Sequence, residues 1–277
     1  MNLWLAGLYA LFLPTLQAME IEKITLPPAE DMQRADLYAL KTTWAPQAVL
    51  VLCPGVNGSG EGFLEQAEWQ NFAQQHQLGL VGLSFASDTA KIHQKGYYYA
   101  SQGSGQVLLN GIHQIYNQDL PLLMFGFSGG AHFTSGFMEW KPDRLIAWCA
   151  YSAGWWNEPL ESPSNPPGII ACGDKDPRYG ASLTYFKEGR ALEKPWLWIT
   201  VPNTAHSISP AVEMFVRSYF DAILKARIEN AISPSSEGVW LDLDQGIPVD
   251  SSVTPPSLTG WLPNATLLNP WKSICMP

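Results

Sequence analysis

The sequence predicts one α/β domain built on a mostly parallel sheet of eight strands, with helices on both faces. Short apolar runs alternate with longer amphipathic stretches along most of the chain, which is the pattern of parallel strands joined by crossover helices. The 277 residues are 46% hydrophobic, which is enough for the core of a single layered domain.

Eight apolar segments are strand candidates, and the first two should form a hairpin. They are residues 21–26, 37–43, 48–53, 79–85, 122–127, 145–150, 168–172 and 197–201. Five stretches between or after them have helical character, and the last begins with proline, which favours the first turn. They are residues 63–76, 103–116, 130–140, 181–193 and 210–226.

The domain should cover residues 19–232, followed by a tail of residues 233–277. In the tail the composition changes to proline, serine and turn residues without a sustained period. Groups of large apolar residues around Trp240 and Trp261 favour burial, so we expect the tail to pack on the domain. The alternative is a disordered extension.

Residues 1–18 have the pattern of a signal peptide. No side chain in residues 1–19 is charged, and an apolar run over residues 3–13 ends before Pro14. Cleavage after Ala18 would export the protein, which predicts a secreted or periplasmic location. The alternative is a retained apolar helix or anchor, but the run is shorter than the about 20 residues that span a bilayer. We expect no stable membrane span elsewhere.

The charge pattern argues against nucleic-acid binding. The formal net charge is −9, and the 16 lysines and arginines are scattered along the sequence. A basic face for phosphate groups is therefore not expected.

The four cysteines, Cys53, Cys149, Cys172 and Cys275, fit no common zinc pattern. Most of them lie in or beside apolar runs, where cysteine is often a small buried hydrophobic residue. If a disulfide forms, the first choice is Cys149 with Cys172, because both fall near the ends of strands expected to be neighbours.

Residues 121–130 contain the motif that is most informative about function. An apolar run ends in Gly126-Phe127-Ser128-Gly129-Gly130, and a helical stretch follows. Gly-x-Ser-x-Gly between a strand and a helix is typical of a nucleophile elbow, in which a tight, strained turn exposes the serine hydroxyl. The sequence therefore predicts that Ser128 is a nucleophile.

On this motif and the following Ala131-His132-Phe133, residues 21–226 resemble the α/β hydrolase superfamily. The resemblance is to the polyhydroxybutyrate depolymerase-like and feruloyl esterase-like branch, and implies an exported carboxylic ester hydrolase. Two features depart from that branch. Pro54-Gly55 replaces its His-Gly, and no separate module for an insoluble polymer is evident.

A serine hydroxyl needs a histidine to take its proton and a carboxylate to orient that histidine. Asp176 is the predicted acid, since it follows a buried strand and a glycine turn, as in the acid loop of many such hydrolases. Asp174 in the same turn is the alternative. His206, in the loop after the last strand, is the predicted base.

Two backbone N–H groups should bind the oxyanion that forms during acyl transfer. One is that of Gly129, directly after the nucleophile. The second should come from the glycine-rich loop over residues 53–60, where Val56 is the first choice and Asn57 the second.

Aromatic residues near the predicted elbow are candidates for substrate binding. Trp155 and Trp156 follow a strand at the end of the sheet where ligands bind in open parallel sheets. Asn57, in the glycine-rich loop, is a third predicted substrate-binding residue. A row of three tyrosines, Tyr97-Tyr98-Tyr99, is a further candidate. The alternative for all the aromatic side chains is packing in the core.

The predicted function is a serine hydrolase that cleaves carboxylic esters through Ser128, His206, Asp176 and an acyl-enzyme. Its partner would be a small-molecule ester, with aryl or sugar esters as candidates. No metal or cofactor is expected, because an activated serine with preorganised donors needs neither. The alternatives are a serine peptidase, an acyltransferase, or a binding protein that has lost catalysis.

Overall fold

A computed structural model describes residues 20–230, 238–250 and 259–276 of the chain, with the backbone only at 228–230. The predicted signal peptide, residues 1–18, lies outside the described residues, so export stays a prediction. In the described ranges, no helix has both the length and the apolar character needed to cross a membrane.

The central sheet has eight strands, as the sequence predicts. They are β1 (Ile21–Thr25), β2 (Met32–Leu40), β3 (Val49–Cys53), β4 (Gly79–Ser87), β5 (Leu122–Phe127), β6 (Leu145–Tyr151), β7 (Gly168–Gly173) and β8 (Trp196–Val201). Their order is β1-β2-β4-β3-β5-β6-β7-β8. The β1–β2 and β2–β4 pairs are antiparallel, and all other pairs are parallel. The predicted mostly parallel sheet and its initial hairpin are confirmed.

Helices cover both faces of the sheet. They are α1 (Glu61–Leu64), α2 (Ala67–Gln75), α3 (Ser104–Tyr116), α4 (Gly129–Trp140), α5 (Tyr179–Ala191), α6 (Pro210–Asn230) and α7 (Leu268–Cys275). Buried side chains of α1, α2, α6 and α7 share one core with the sheet, and those of α3, α4 and α5 share the other. Strand β5 serves both cores, since Phe125 faces the first and Met124 the second.

Two elements show the main differences from the sequence prediction. Strand β2 starts at Met32 rather than near residue 37, because its polar first half pairs with β4 through an irregular register between Met32 and Arg34. The single helix predicted over residues 63–76 is two helices, α1 and α2. The turn between them is stabilised by the Gln70 side chain, whose Nε2 donates to the Leu64 carbonyl at 2.6 Å.

The predicted first-choice disulfide does not form. Cys149 and Cys172 lie on the neighbouring strands β6 and β7, but their side chains belong to the cores on opposite faces of the sheet. A bond between them would require one strand to turn over. All four cysteines are free thiols.

The described part of the tail packs beside β8. It forms a small antiparallel sheet of β9 (Val239–Asp242), β10 (Ile247–Pro248) and β11 (Thr259–Leu262), followed by α7. The indole Nε1 of Trp271 donates to the Trp198 carbonyl at 2.9 Å. On α5, Arg190 Nε donates to the Thr259 carbonyl at 3.0 Å. The first bond attaches the tail to β8, the strand that precedes the His206 loop, and the second attaches it to α5.

Trp271→Ala should destabilise the protein by about 3–5 kcal/mol, because it empties a site where the indole is 1% exposed and removes its hydrogen bond to β8. Urea unfolding followed by circular dichroism measures the change. The control is Asn269→Ala, at an exposed position of the same helix, for which we expect a change of about 0.5 kcal/mol or less. Equal stability of the two variants would contradict the prediction.

Candidate active site

Ser128 lies in a strained turn between β5 and α4. Its φ is 55° and its ψ is −117°, a conformation that residues with a Cβ rarely adopt. Glycine is required at positions 126 and 130 because other backbone atoms approach both residues closely. A Cβ on Gly126 would overlap the Gly130 carbonyl, and one on Gly130 would overlap the Cys53 and Pro54 carbonyls. The tight packing of β5, α4 and the end of β3 thus holds the serine in place.

Ser128, His206 and Asp176 form one continuous chain of hydrogen bonds. Ser128 Oγ is 2.9 Å from His206 Nε2, and His206 Nδ1 is 2.7 Å from Asp176 Oδ2. Because the carboxylate can only accept, Nδ1 carries the hydrogen and Nε2 is left to accept the proton of the serine. This arrangement can activate a serine for attack on a carbonyl carbon.

Asp176 is the inner end of this chain, with its carboxylate shielded from solvent. Burial alone would raise the pKa of Asp176, but hydrogen bonds from His206, Arg178 and Ser152 outweigh it and lower the pKa below its ordinary value. Oδ1 accepts from the Arg178 backbone N–H at 3.0 Å and from its Nη1 at 3.1 Å. The carboxylate therefore stays ionised and keeps a fixed orientation.

Asp174, the alternative acid, has a different position. Its Oδ1 accepts the Thr204 N–H at 3.2 Å, and its side chain is exposed rather than directed to His206. The Lys175 N–H donates to the Thr204 carbonyl at 3.0 Å. The acid loop and the histidine loop are thus joined by backbone bonds, and Phe127 stacks on the His206 ring with centroids 4.9 Å apart.

The predicted oxyanion donors lie side by side. A Cβ added to Gly129 would be 3.0 Å from the backbone nitrogen of Val56, so the first turn of α4 contacts the loop at this point. A Cβ added to Gly55 would be 3.8 Å from the Ser128 Cβ. Among the described residues, neither the Gly129 nor the Val56 N–H donates a hydrogen bond, so both are available to an oxyanion.

Asn57 anchors this loop, and its contacts do not support the predicted role in substrate binding. Its Oδ1 accepts from the Ser87 N–H at 3.0 Å and from Tyr98 Oη at 3.2 Å, and its Nδ2 donates to the Ser87 carbonyl. Its backbone N–H donates to Tyr97 Oη. With these groups engaged, Asn57 holds its left-handed backbone, at φ 54°, against the end of β4.

Arg34 is a site-supporting residue that sequence reasoning missed. From β2 its Nη2 donates to the carbonyls of Asn57 at 2.7 Å and Gly58 at 3.0 Å, and its Nε donates to the Ser84 carbonyl. It thus fixes the loop that carries Val56. No local pattern around Arg34 indicates this role, because its acceptors lie on a distant loop and strand.

The two tryptophans after β6 have different surroundings. Trp156 is a packing residue, since its ring stacks on Tyr185 with centroids 4.4 Å apart and its Nε1 donates to Ser182 Oγ at 3.1 Å. Trp155 lies beside α4, the helix that follows Ser128, and its ring centroid is 4.2 Å from that of His132. The contacts of Trp156 do not support its predicted role in substrate binding, and Trp155 keeps its candidacy.

Comparisons with protein-family models and with curated proteins find no match. Solved structures do match. A ferulic acid esterase aligns with a TM-score of 0.54 at 12% identity, over 74% of this chain and 96% of its own. The poly(3-hydroxybutyrate) depolymerase LpqC of Bordetella parapertussis aligns with a TM-score of 0.51 at 18% identity, over 79% and 92%.

An esterase of the archaeon Pyrobaculum calidifontis aligns with a TM-score of 0.56 at 10% identity, over 76% of this chain and 86% of its own. At these identities the likeness is one of fold. Together with the strand order and the strained turn at Ser128, it establishes that this chain has the α/β hydrolase fold.

Proposed function

We propose that the protein is a serine hydrolase that cleaves carboxylic esters, with Ser128 as nucleophile, His206 as general base and Asp176 as its orienting acid. The observation that carries the proposal is the chain of hydrogen bonds from Ser128 Oγ through His206 to Asp176, at 2.9 and 2.7 Å. The fold neighbours named as esterases or as a depolymerase support the same class of reaction.

In the first half of the reaction, Ser128 Oγ attacks the carbonyl carbon of the ester while His206 Nε2 takes the hydroxyl proton. The carbonyl oxygen becomes an oxyanion that accepts hydrogen bonds from the N–H groups of Gly129 and Val56. The intermediate collapses by breaking the bond to the leaving alkoxide, which receives the proton from His206. The acyl group is then an ester of Ser128.

In the second half, His206 removes a proton from a water molecule, whose oxygen attacks the acyl carbon. The same N–H groups stabilise the second oxyanion, and collapse releases the acid and returns the proton to Ser128. During both halves Asp176 stabilises the imidazolium form of His206. Because the pKa of Asp176 is lowered, this carboxylate stays charged to a lower pH than an ordinary aspartate. These steps use no metal ion or cofactor.

The substrate we propose is a small-molecule ester, with aryl and sugar esters as its candidate classes. Trp155 and its aromatic neighbours favour a substrate with a planar or ring-shaped group, because flat rings stack on aromatic side chains. Paired assays of aryl, acetylated-sugar and aliphatic esters would rank these classes.

Labelling with a fluorophosphonate tests the proposal. We expect one adduct per molecule in an intact-mass spectrum, on the peptide that contains Ser128, because only an activated serine displaces the fluoride. Heat-denatured protein is the control and should remain unlabelled. Absence of labelling on the folded protein would favour the non-catalytic alternative, while amide cleavage or acyl transfer to an added alcohol would favour a peptidase or an acyltransferase.

A further inference from the structure

Trp155 belongs to an aromatic cluster that also contains His93, Tyr98, Tyr99 and His132. Its ring centroid lies 4.2 Å from that of His132, 5.0 Å from His93, 5.4 Å from Tyr98 and 6.1 Å from Tyr99. All members of this cluster are rings, so it offers flat faces on which a ring of a substrate can stack.

The cluster adjoins the proposed catalytic residues on two sides. His132 is one helical turn after Ser128, and its backbone N–H donates to the Ser128 carbonyl at 3.1 Å. On the other side, Tyr98 Oη donates to the Asn57 side chain, in the loop that carries Val56. The cluster therefore lies beside the first turn of α4 and beside the loop that carries Val56.

The position of Trp155 depends on a hydrogen bond from a buried histidine. His132 is 0% exposed, and its Nδ1 lies 2.7 Å from the Trp155 carbonyl oxygen. Because a carbonyl only accepts, Nδ1 carries the hydrogen. Burial, aided by nearby His93, lowers the pKa of His132 to about 4, so the ring is neutral at neutral pH and this tautomer persists.

Other contacts hold the rest of the loop between β6 and β7, residues 152–167. The Leu160 N–H donates to Glu139 Oε2 at 2.8 Å, and Trp156 donates to Ser182. Both Glu139 and His132 lie on α4, seven positions apart and thus on one face of the helix. The loop is attached to the helix that begins at the nucleophile, and His132 is the attachment nearest to Ser128.

We propose that His132 is a positioning residue, which holds Trp155 through its Nδ1–H bond as the wall on which a flat ring of the substrate stacks. The proposal rests on the proposed function and names a residue that sets its specificity. His132 makes no described contact with Ser128 Oγ or His206, so its effect passes through Trp155 and changes binding rather than the chemical step.

The test compares His132→Leu, which removes the donor, with His132→Asn, whose Nδ2 can replace Nδ1–H. The substrates are 2-naphthyl acetate, which has a ring, and vinyl acetate, which has none. For His132→Leu we expect KM for the naphthyl ester to rise about 10-fold with kcat within about 3-fold, and KM for vinyl acetate to change less than about 2-fold. His132→Asn should restore KM for the naphthyl ester to within about 3-fold of wild type.

Two further variants keep the test decisive. If His132→Leu fails to fold, His132→Phe keeps a ring but lacks the donor, and should show the same KM rise. In a Trp155→Ala background, His132→Leu should add no more than about a 2-fold change, since the two residues act as one unit. An equal rise in KM for both esters would overturn the proposal. So would effects of His132→Leu and Trp155→Ala on KM that are fully additive.

Hydrogen exchange separates this inference from the proposed function, because it needs no substrate. Backbone amides of residues 152–160 should exchange about 10-fold faster in His132→Leu than in wild type or His132→Asn. His113→Leu, at an exposed histidine of α3, is the control and should not change this segment. Unchanged exchange in His132→Leu would overturn the positioning role, whereas failure of the wild-type protein to hydrolyse any ester would overturn the proposed function alone.

Discussion

Ser128→Ala should lower kcat for a short-chain aryl ester by about 10⁴- to 10⁶-fold, since it removes the only atom proposed to bond to the acyl group. Residual hydrolysis would come from the oxyanion donors, which remain in place. The measurement is the steady-state rate of release of the aryl alcohol, with the fluorophosphonate adduct as a second readout that should disappear.

The variant should remain folded. The Ser128 N–H donates to the Tyr151 carbonyl at 2.9 Å, a backbone bond that alanine keeps. The substitution also leaves the Cβ unchanged, so the strain of the positive φ is the same in both proteins. His206 Nε2 loses its partner but lies in a ring that is 29% exposed, where water can replace the hydroxyl.

Ser218→Ala is the matched control, since this serine is exposed on α6 and its hydroxyl, among the described residues, bonds to the Met214 carbonyl of the same helix. Its activity and unfolding midpoint should equal those of wild type. A Ser128→Ala protein that keeps more than about a tenth of the wild-type rate would assign the hydrolysis to another nucleophile or to a contaminant.

The geometry around Ser128 was largely predictable because it follows from chain order. In a parallel sheet the carboxyl ends of all strands share one edge, so the loops after β5, β7 and β8 meet there. The predicted residues Ser128, Asp176 and His206 lie on those three loops. Asp174 stays an alternative to the predicted Asp176 on sequence alone, since two positions along a turn change the direction of a side chain.

The contacts of Arg34 and of the tail strands do not follow from chain order and were not predictable. Arg34 reaches the carbonyls of Asn57 and Gly58 across 23 and 24 positions of the sequence, and its neighbours in β2 give no sign of it. The tail strands β9 and β11 are four residues each, so neither has a readable period, and they form because they pair with each other beside β8. In both cases the determining partner is distant in sequence.

Asp176→Asn is expected to lower kcat by about 10⁴-fold, because it forces the wrong tautomer on His206. The present carboxylate accepts two bonds from Arg178 at Oδ1 and one from His206 at Oδ2. In the variant, the amide oxygen should occupy the Oδ1 position, where two donors converge, and this places the amide NH₂ against His206 Nδ1. The hydrogen of the imidazole then moves to Nε2, which can no longer accept the proton of Ser128.

Asp174→Asn is the matched control, two residues away in the same turn. Its Oδ1 accepts a single bond from the Thr204 N–H, which an amide oxygen can also accept, so kcat should stay within about 3-fold of wild type.

The two variants should also differ in their unfolding at acidic pH. Since the pKa of Asp176 is lowered in the folded state, its ionisation contributes stability above the unfolded pKa, and that stability is lost as the pH falls through the folded pKa. Asp176→Asn should lack this part of the acid transition in a pH titration of unfolding, while Asp174→Asn should keep it. An equal loss of kcat in the two variants would contradict the orientation of His206 by Asp176.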